Sequence, residues 1–128
     1  PHRDNMLLLD EAVMEDGKAR GVYRVRGDEW FLKGHFPGRP VVPGVVLCEI
    51  MAQTCCVLLA DKVMGRTPVL TGLDSVRFRS KVKPGDLIRM VCVVLREKDP
   101  FYFARGEGYV DDRLCVSGEF SFAFVKGV

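Results

Sequence analysis

The stretch VVLCEIMAQTCCVLLADKVM, residues 45–64, contains nothing that breaks a helix, and Gly65 follows it as a natural stop. Twenty helical residues reach about 30 Å. This stretch is apolar nearly all the way round until Asp61, and a helix of that kind must be enclosed by protein or lipid. Glu49, Gln53 and Thr54 near its middle, with Asp61 and Lys62 soon after, weigh against a membrane span. The remainder of the chain is therefore expected to enclose it.

A sheet is the available wrapping. Residues 18–26 (KARGVYRVR) mix Val and Tyr with Arg, and Gly27-Asp28 forms a turn. Residues 74–83 alternate, with Val76, Phe78 and Val82 on one side and Arg77, Arg79, Lys81 and Lys83 on the other. After a turn at Pro84-Gly85-Asp86, strands are predicted over 87–95 and 101–110, separated by the turn Lys98-Asp99-Pro100. Asp111-Asp112 then makes a tight hairpin link to a last strand. In that strand Leu114, Val116, Phe120, Phe122 and Phe124 face one way, and Cys115, Ser117, Glu119 and Ser121 the other. Antiparallel strands meandering around one long helix predict an α+β domain whose curved sheet wraps the helix. No repeat, linker or low-complexity run interrupts residues 1–128, so one domain is expected.

Composition narrows the function classes. Nineteen basic and seventeen acidic residues leave a net charge of +2, too balanced for the concentrated basic footprint of a nucleic-acid binder. Five cysteines are an odd number, form no C-x-x-C pair and sit in apolar runs, which reads as buried thiols in a reducing compartment. Cys48 and Cys55, seven apart, would share a helical face. The only apolar run near the start, Met6 to Leu9, is too short for a secretory signal, so a cytoplasmic protein is expected.

Three features stand apart from this scaffold. A carboxylate buried without a partner is costly, and a carboxyl so placed tends to keep its proton, the form in which it can donate one. Glu49 fits that description, although a place at the helix rim or in a dimer salt bridge explains it equally. Gln53, four residues on, lies on the same helical face, where amide and carboxyl can hold one hydroxyl or water. His35 is the second feature. An imidazole suits a general base, and Phe36, Pro37, Gly38, Pro40 and Pro43 stiffen its surroundings; a rigid turn into the helix accounts for the prolines alone. Gly44 is the third. It begins the helix, where unpaired N–H groups favour negative charge, and without a side chain it lets a carbonyl oxygen come close. A base, an acid and an oxyanion donor point to proton abstraction beside a carbonyl followed by loss of a β-hydroxyl.

The run HFPGRPVVPGVVLCEIMAQ closely resembles the signature of bacterial 3-hydroxyacyl acyl-carrier-protein dehydratases, of the type that carries glutamate where the related dehydratase-isomerases carry aspartate. PHR with LLLD at the start, VRFRSKVKPGD in the middle and the strand spacing to the end extend the likeness over nearly the whole chain. It departs at Asp4, Asn5 and Met6, where Tyr-Pro-Phe is common, and at Val42, where methionine is usual. The resemblance implies a hot-dog fold, a dimer as minimal unit and often a hexamer of three dimers, with His35 of one subunit meeting Glu49 of its partner. It implies that His35 takes the C2 proton, that the Gly44 N–H holds the thioester oxygen and that Glu49 protonates the departing hydroxyl. Gln53, Phe36 and Gly38 join Gly44 as substrate-binding candidates. Neither metal nor organic cofactor is implied.

Two rival readings remain open at this point. A hot-dog thioesterase would hydrolyse the thioester, although the chain has no G-x-S-x-G nucleophile motif. A non-catalytic acyl-binding or scaffold subunit would keep the fold without turnover. Arg77, Arg79, Lys81 and Lys83 read either as the wet side of a strand or as a face that steers an acidic acyl carrier protein.

Overall fold

Period-two alternation in the C-terminal half turns into three long strands, and the apolar stretch before them into a helix they cover. In the computed structural model, which describes residues 9–32, 41–60 and 65–126, the chain runs β1 (Glu11–Glu15), β2 (Lys18–Arg24), a 3-10 turn (Trp30–Leu32), α1 (Gly44–Leu58), β3 (Arg66–Phe78), β4 (Leu87–Lys98), β5 (Phe101–Val110) and β6 (Arg113–Lys126). All six strands pair antiparallel in one sheet, in the order β1-β2-β4-β5-β6-β3.

One face of this sheet holds α1. Ala19 and Tyr23 of β2, Ile88, Met90 and Cys92 of β4, and Phe120, Phe122 and Phe124 of β6 are buried on it, against Ile50, Met51 and Cys55 of the helix. Two glycines set how closely helix and sheet approach. A Cβ at Gly21 would lie 2.5 Å from Thr54 Oγ1, and one at Gly106 would lie 2.3 Å from Met51 Sδ. The space those side chains would take is filled by the helix, so β2 and β5 press against α1. Thr54 is fully buried, and its hydroxyl donates to the Ile50 carbonyl one turn back, at 3.0 Å. A polar residue in the apolar stretch is thereby satisfied within the helix. Sheet and helix together form the α+β hot-dog arrangement.

The structure departs from the sequence reading in several places. The helix ends at Leu58 rather than near Met64; the Leu59 N–H bonds back to the Cys56 carbonyl at 3.1 Å, a tightening of the last turn. Propensity does not set this end, since Leu59 and Ala60 are good helix formers. β3 begins at Arg66, eight residues before the expected start, and stops at Phe78, so 79–83 is not strand. β1 was not anticipated, and β2 ends at Arg24, two residues early. In β6, Val116 pairs with Gly108 but Leu114 pairs with Tyr109, so a bulge at Cys115 turns Leu114 onto the face opposite Val116. Cys115 is buried, as expected of the thiols, and Ser117, expected on the face away from the aromatic row, is buried as well; the Cys115 carbonyl accepts the Arg79 N–H at 2.7 Å as the chain leaves β3.

Candidate active site

Pro43 precedes α1 in an extended conformation and offers no side-chain hydrogen bond to it. The first-turn N–H groups of a helix have no intrahelical partner. Those of Val46 and Leu47 reach the Pro43 carbonyl at 3.0 and 3.2 Å. Beside this end opens a cleft of about 570 Å³, lined by Val42, Gly44, Val45, Phe78, Arg79 and Lys81 among others. Arg79 and Lys81 are exposed, as are Arg77 and Lys83.

Glu49, Gln53 and Cys56 follow one another along a different strip of α1. Gln53 is 5% exposed, and its Nε2 donates to Glu49 Oε2 at 3.0 Å, the side-by-side placement that the i, i+4 spacing predicts. Glu49 itself is half-buried and hydrogen-bonded, not a partnerless buried carboxyl. Cys56 is half-buried; burial chiefly, then Glu49, pushes its thiol up to about 11, so it stays protonated at neutral pH. Glu49 lies five positions after Gly44 on the helix, a rotation of about 140°. The cleft accordingly touches Gly44 but neither Glu49 nor Gln53.

His35, Phe36 and Gly38 lie outside the described residues. The chain leading toward them is anchored by Glu29, which sequence reasoning missed. Its carboxylate accepts the Tyr23 hydroxyl at 2.6 Å and the Arg26 and Gly27 N–H groups, each at 2.7 Å. Burial opposes the charge on Glu29, but these hydrogen bonds outweigh it and hold the carboxyl below its ordinary range. Phe78 was missed as well: alternation alone assigns it to the core, whereas it is 55% exposed in the cleft. The cysteines are free thiols. Cys55 is fully buried beside Cys92, and that contact together with burial raises its thiol well above the usual value, which marks packing rather than reactivity.

The FabA-like domain family matches residues 1–119. The chain belongs to the FabA-like family. Among its FabA-like relatives, the 3-hydroxyacyl-[acyl-carrier-protein] dehydratase FabZ of Moorella thermoacetica is 39% identical over 127 residues, covering 96% of this chain and 89% of the relative. The protein of the same name from Caldicellulosiruptor bescii is 40% identical over 127 residues, covering 96% and 91%. The solved dehydratase heterocomplex ApeI:P from Xenorhabdus doucetiae superposes with a TM-score of 0.82 at 21% identity, covering 98% of this FabA-like chain and 88% of that one. A hypothetical thioesterase with coenzyme A from Streptococcus pneumoniae superposes at 0.73 with 14% identity, over 91% and 85%. At such identities both structures speak for the FabA-like chain's fold alone.

Proposed function

We infer that this chain is a lyase that dehydrates 3-hydroxyacyl groups carried on acyl carrier protein to the trans-2-enoyl thioester in fatty-acid biosynthesis. The similarity to dehydratases at 36–40% identity over nearly the whole chain carries this reading. In it, His35 removes a proton from C2 while the Gly44 N–H receives the thioester oxygen as negative charge develops there. Glu49 gives its proton to the C3 hydroxyl, the C3–O bond breaks, water leaves and the C2–C3 double bond forms. Phe36 and Gly38 contact substrate beside His35, and Gln53 holds the Glu49 carboxyl. The protein works without metal or organic cofactor and in the cytoplasm. Among the described residues no helix is long and apolar enough to cross a membrane.

The site is assembled from two protomers. Gly44 and the cleft lie on one side of α1 and the Glu49–Gln53 pair on another, so one ligand on Gly44 is served by the Glu49 of a second copy. β3 supplies a means of joining. It is the thirteen-residue edge of the sheet, and Leu70 and Leu73 on it are 42% and 50% exposed. A long apolar edge strand is a template for pairing. Pairing of two such edges gives a dimer, and three dimers a hexamer.

Incubation with a 3-hydroxyacyl thioester should generate the absorbance of a conjugated enoyl product; release of free thiol without that absorbance would support hydrolysis instead. Replacing Gln53 by alanine is expected to lower kcat of the folded protein by about tenfold and to cost about 1–3 kcal/mol of stability, because the amide is buried and its hydrogen bond to Glu49 is lost. Wild-type kcat in that variant would show that the amide does not position Glu49.

Arg79 and Lys81 stand on the cleft rim, with Arg77 and Lys83 exposed beside them, which favours the steering role over a merely wet strand face. Glutamate at both 77 and 79 should therefore reduce kcat/KM on carrier-bound substrate about tenfold and on the coenzyme A thioester far less. Equal losses on the two would count against docking.

A further inference from the structure

We propose that Phe78 is a substrate-positioning residue whose ring is held in the mouth of the cleft by the space Gly44 leaves beneath it. The proposal rests on the dehydratase reading above and adds a residue to it. Phe78 closes β3 opposite Val116, which is fully buried, yet Phe78 is itself more than half exposed. An aromatic ring of that size on an inward-facing row normally disappears into the core. Here the row runs out at the end of β3, and the ring projects over the start of α1 instead.

The contact with Gly44 explains why glycine stands there. Gly44 opens a helix and is not among the glycines with positive φ, so its backbone conformation suits any residue. Space does not. A Cβ at this position would lie 2.9 Å from Phe78 Cζ, 3.0 Å from Cε1 and 3.3 Å from Cε2. All three atoms belong to the far end of one partly exposed side chain. An added methyl therefore displaces the ring into the cleft and leaves the core alone. The cleft itself suits an extended, mostly apolar thioester arm. Val42, Val45 and Val82 share its wall with the ring, and Arg79 and Lys81 provide cations farther along. A ring lying against Gly44 supplies apolar surface on which such an arm binds beside the Gly44 N–H, a contact made alike before and during the reaction and therefore expressed in KM.

A double-mutant cycle on the full-length protein tests this. Phe78→Ala should raise KM about tenfold while kcat changes less than about threefold, because the ring binds substrate without taking part in proton transfer. Gly44→Ala should lower kcat/KM by at least about tenfold with an unchanged melting temperature and oligomer mass. In the Gly44→Ala background, Phe78→Leu keeps apolar bulk but lacks the ring tip. It should recover a good part of the loss, leaving the pair at least about fivefold from additivity. Additive effects, or a fall in kcat with KM unchanged in Phe78→Ala, would overturn the proposal. So would a change of oligomer mass in Phe78→Ala, which would make the ring an interface residue. An active wild type with additive variants sinks this proposal alone, whereas a wild type that forms no enoyl product sinks the dehydratase reading beneath it as well.

Discussion

Alanine at His35 or at Glu49 is expected to lower kcat on a 3-hydroxyacyl thioester by ~100-fold or more, the ordinary scale of a general base or acid. The two losses have different origins. Without His35 the C2 proton has no acceptor at the site, so exchange of that proton with solvent deuterium should disappear along with dehydration. Without Glu49 the hydroxyl must leave as hydroxide, and a substrate with a better leaving group at C3 should recover part of the rate. Glu49→Gln separates proton donation from geometry, since the amide keeps the shape and the Gln53 contact but has no acidic proton. It should be nearly as slow as Glu49→Ala. Near wild-type turnover in any of these variants removes the role assigned to that residue.

Phe120→Ala is expected to cost about 3–5 kcal/mol of stability, measured by urea unfolding at fixed protein concentration. Phe120 is 2% exposed and lies in the middle of the inward row of β6. Its ring stacks on Phe122 with centroids 6.3 Å apart and planes within 13°. Its partners across the strands are Ala104 on β5 and Leu73 on β3. Ala104 is too small to close over a cavity, and Leu73 on the edge strand is half exposed, so the site has little material with which to collapse. A loss below about 1 kcal/mol would mean that β6 does not form the centre of the core.

The parts of this fold that could be read from sequence are those that turn residues bound on both sides. β5 was predicted from residue 101 to residue 110, as observed, because the turns Lys98-Asp99-Pro100 and Asp111-Asp112 frame it. β1 escaped because EAVME has only one residue even half-buried, leaving no alternation to detect. The first half of β3 escaped for a related reason. Pro68 and Gly72 look like breakers, but an edge strand tolerates proline, and the register shift between Leu70 and Gly72 accommodates the irregularity. The orientation of Leu114 was wrong because a single bulge residue inverts the alternation on one side of it.

The candidate site divides along the same line. Glu49 and Gln53 are four apart on one helix, so their pairing follows from local geometry alone. The approach of Phe78 to Gly44 joins residues thirty-four positions apart and depends on where β3 happens to end, which no local pattern encodes. Glu29 belongs to this second group. Nothing in GDEW announces that its carboxylate will gather two backbone N–H groups and a tyrosine hydroxyl.

Complementation between two inactive variants tests the two-protomer site most directly. His35→Ala and Glu49→Ala chains are co-expressed with different tags, and assemblies carrying both are isolated. A dimer with one chain of each kind has one site lacking both groups and one site lacking neither. Mixed assemblies should therefore regain about a quarter to a half of wild-type turnover, although each parent is nearly inactive. Mixed assemblies as slow as either parent would place His35 and Glu49 in the same protomer's site and contradict the account.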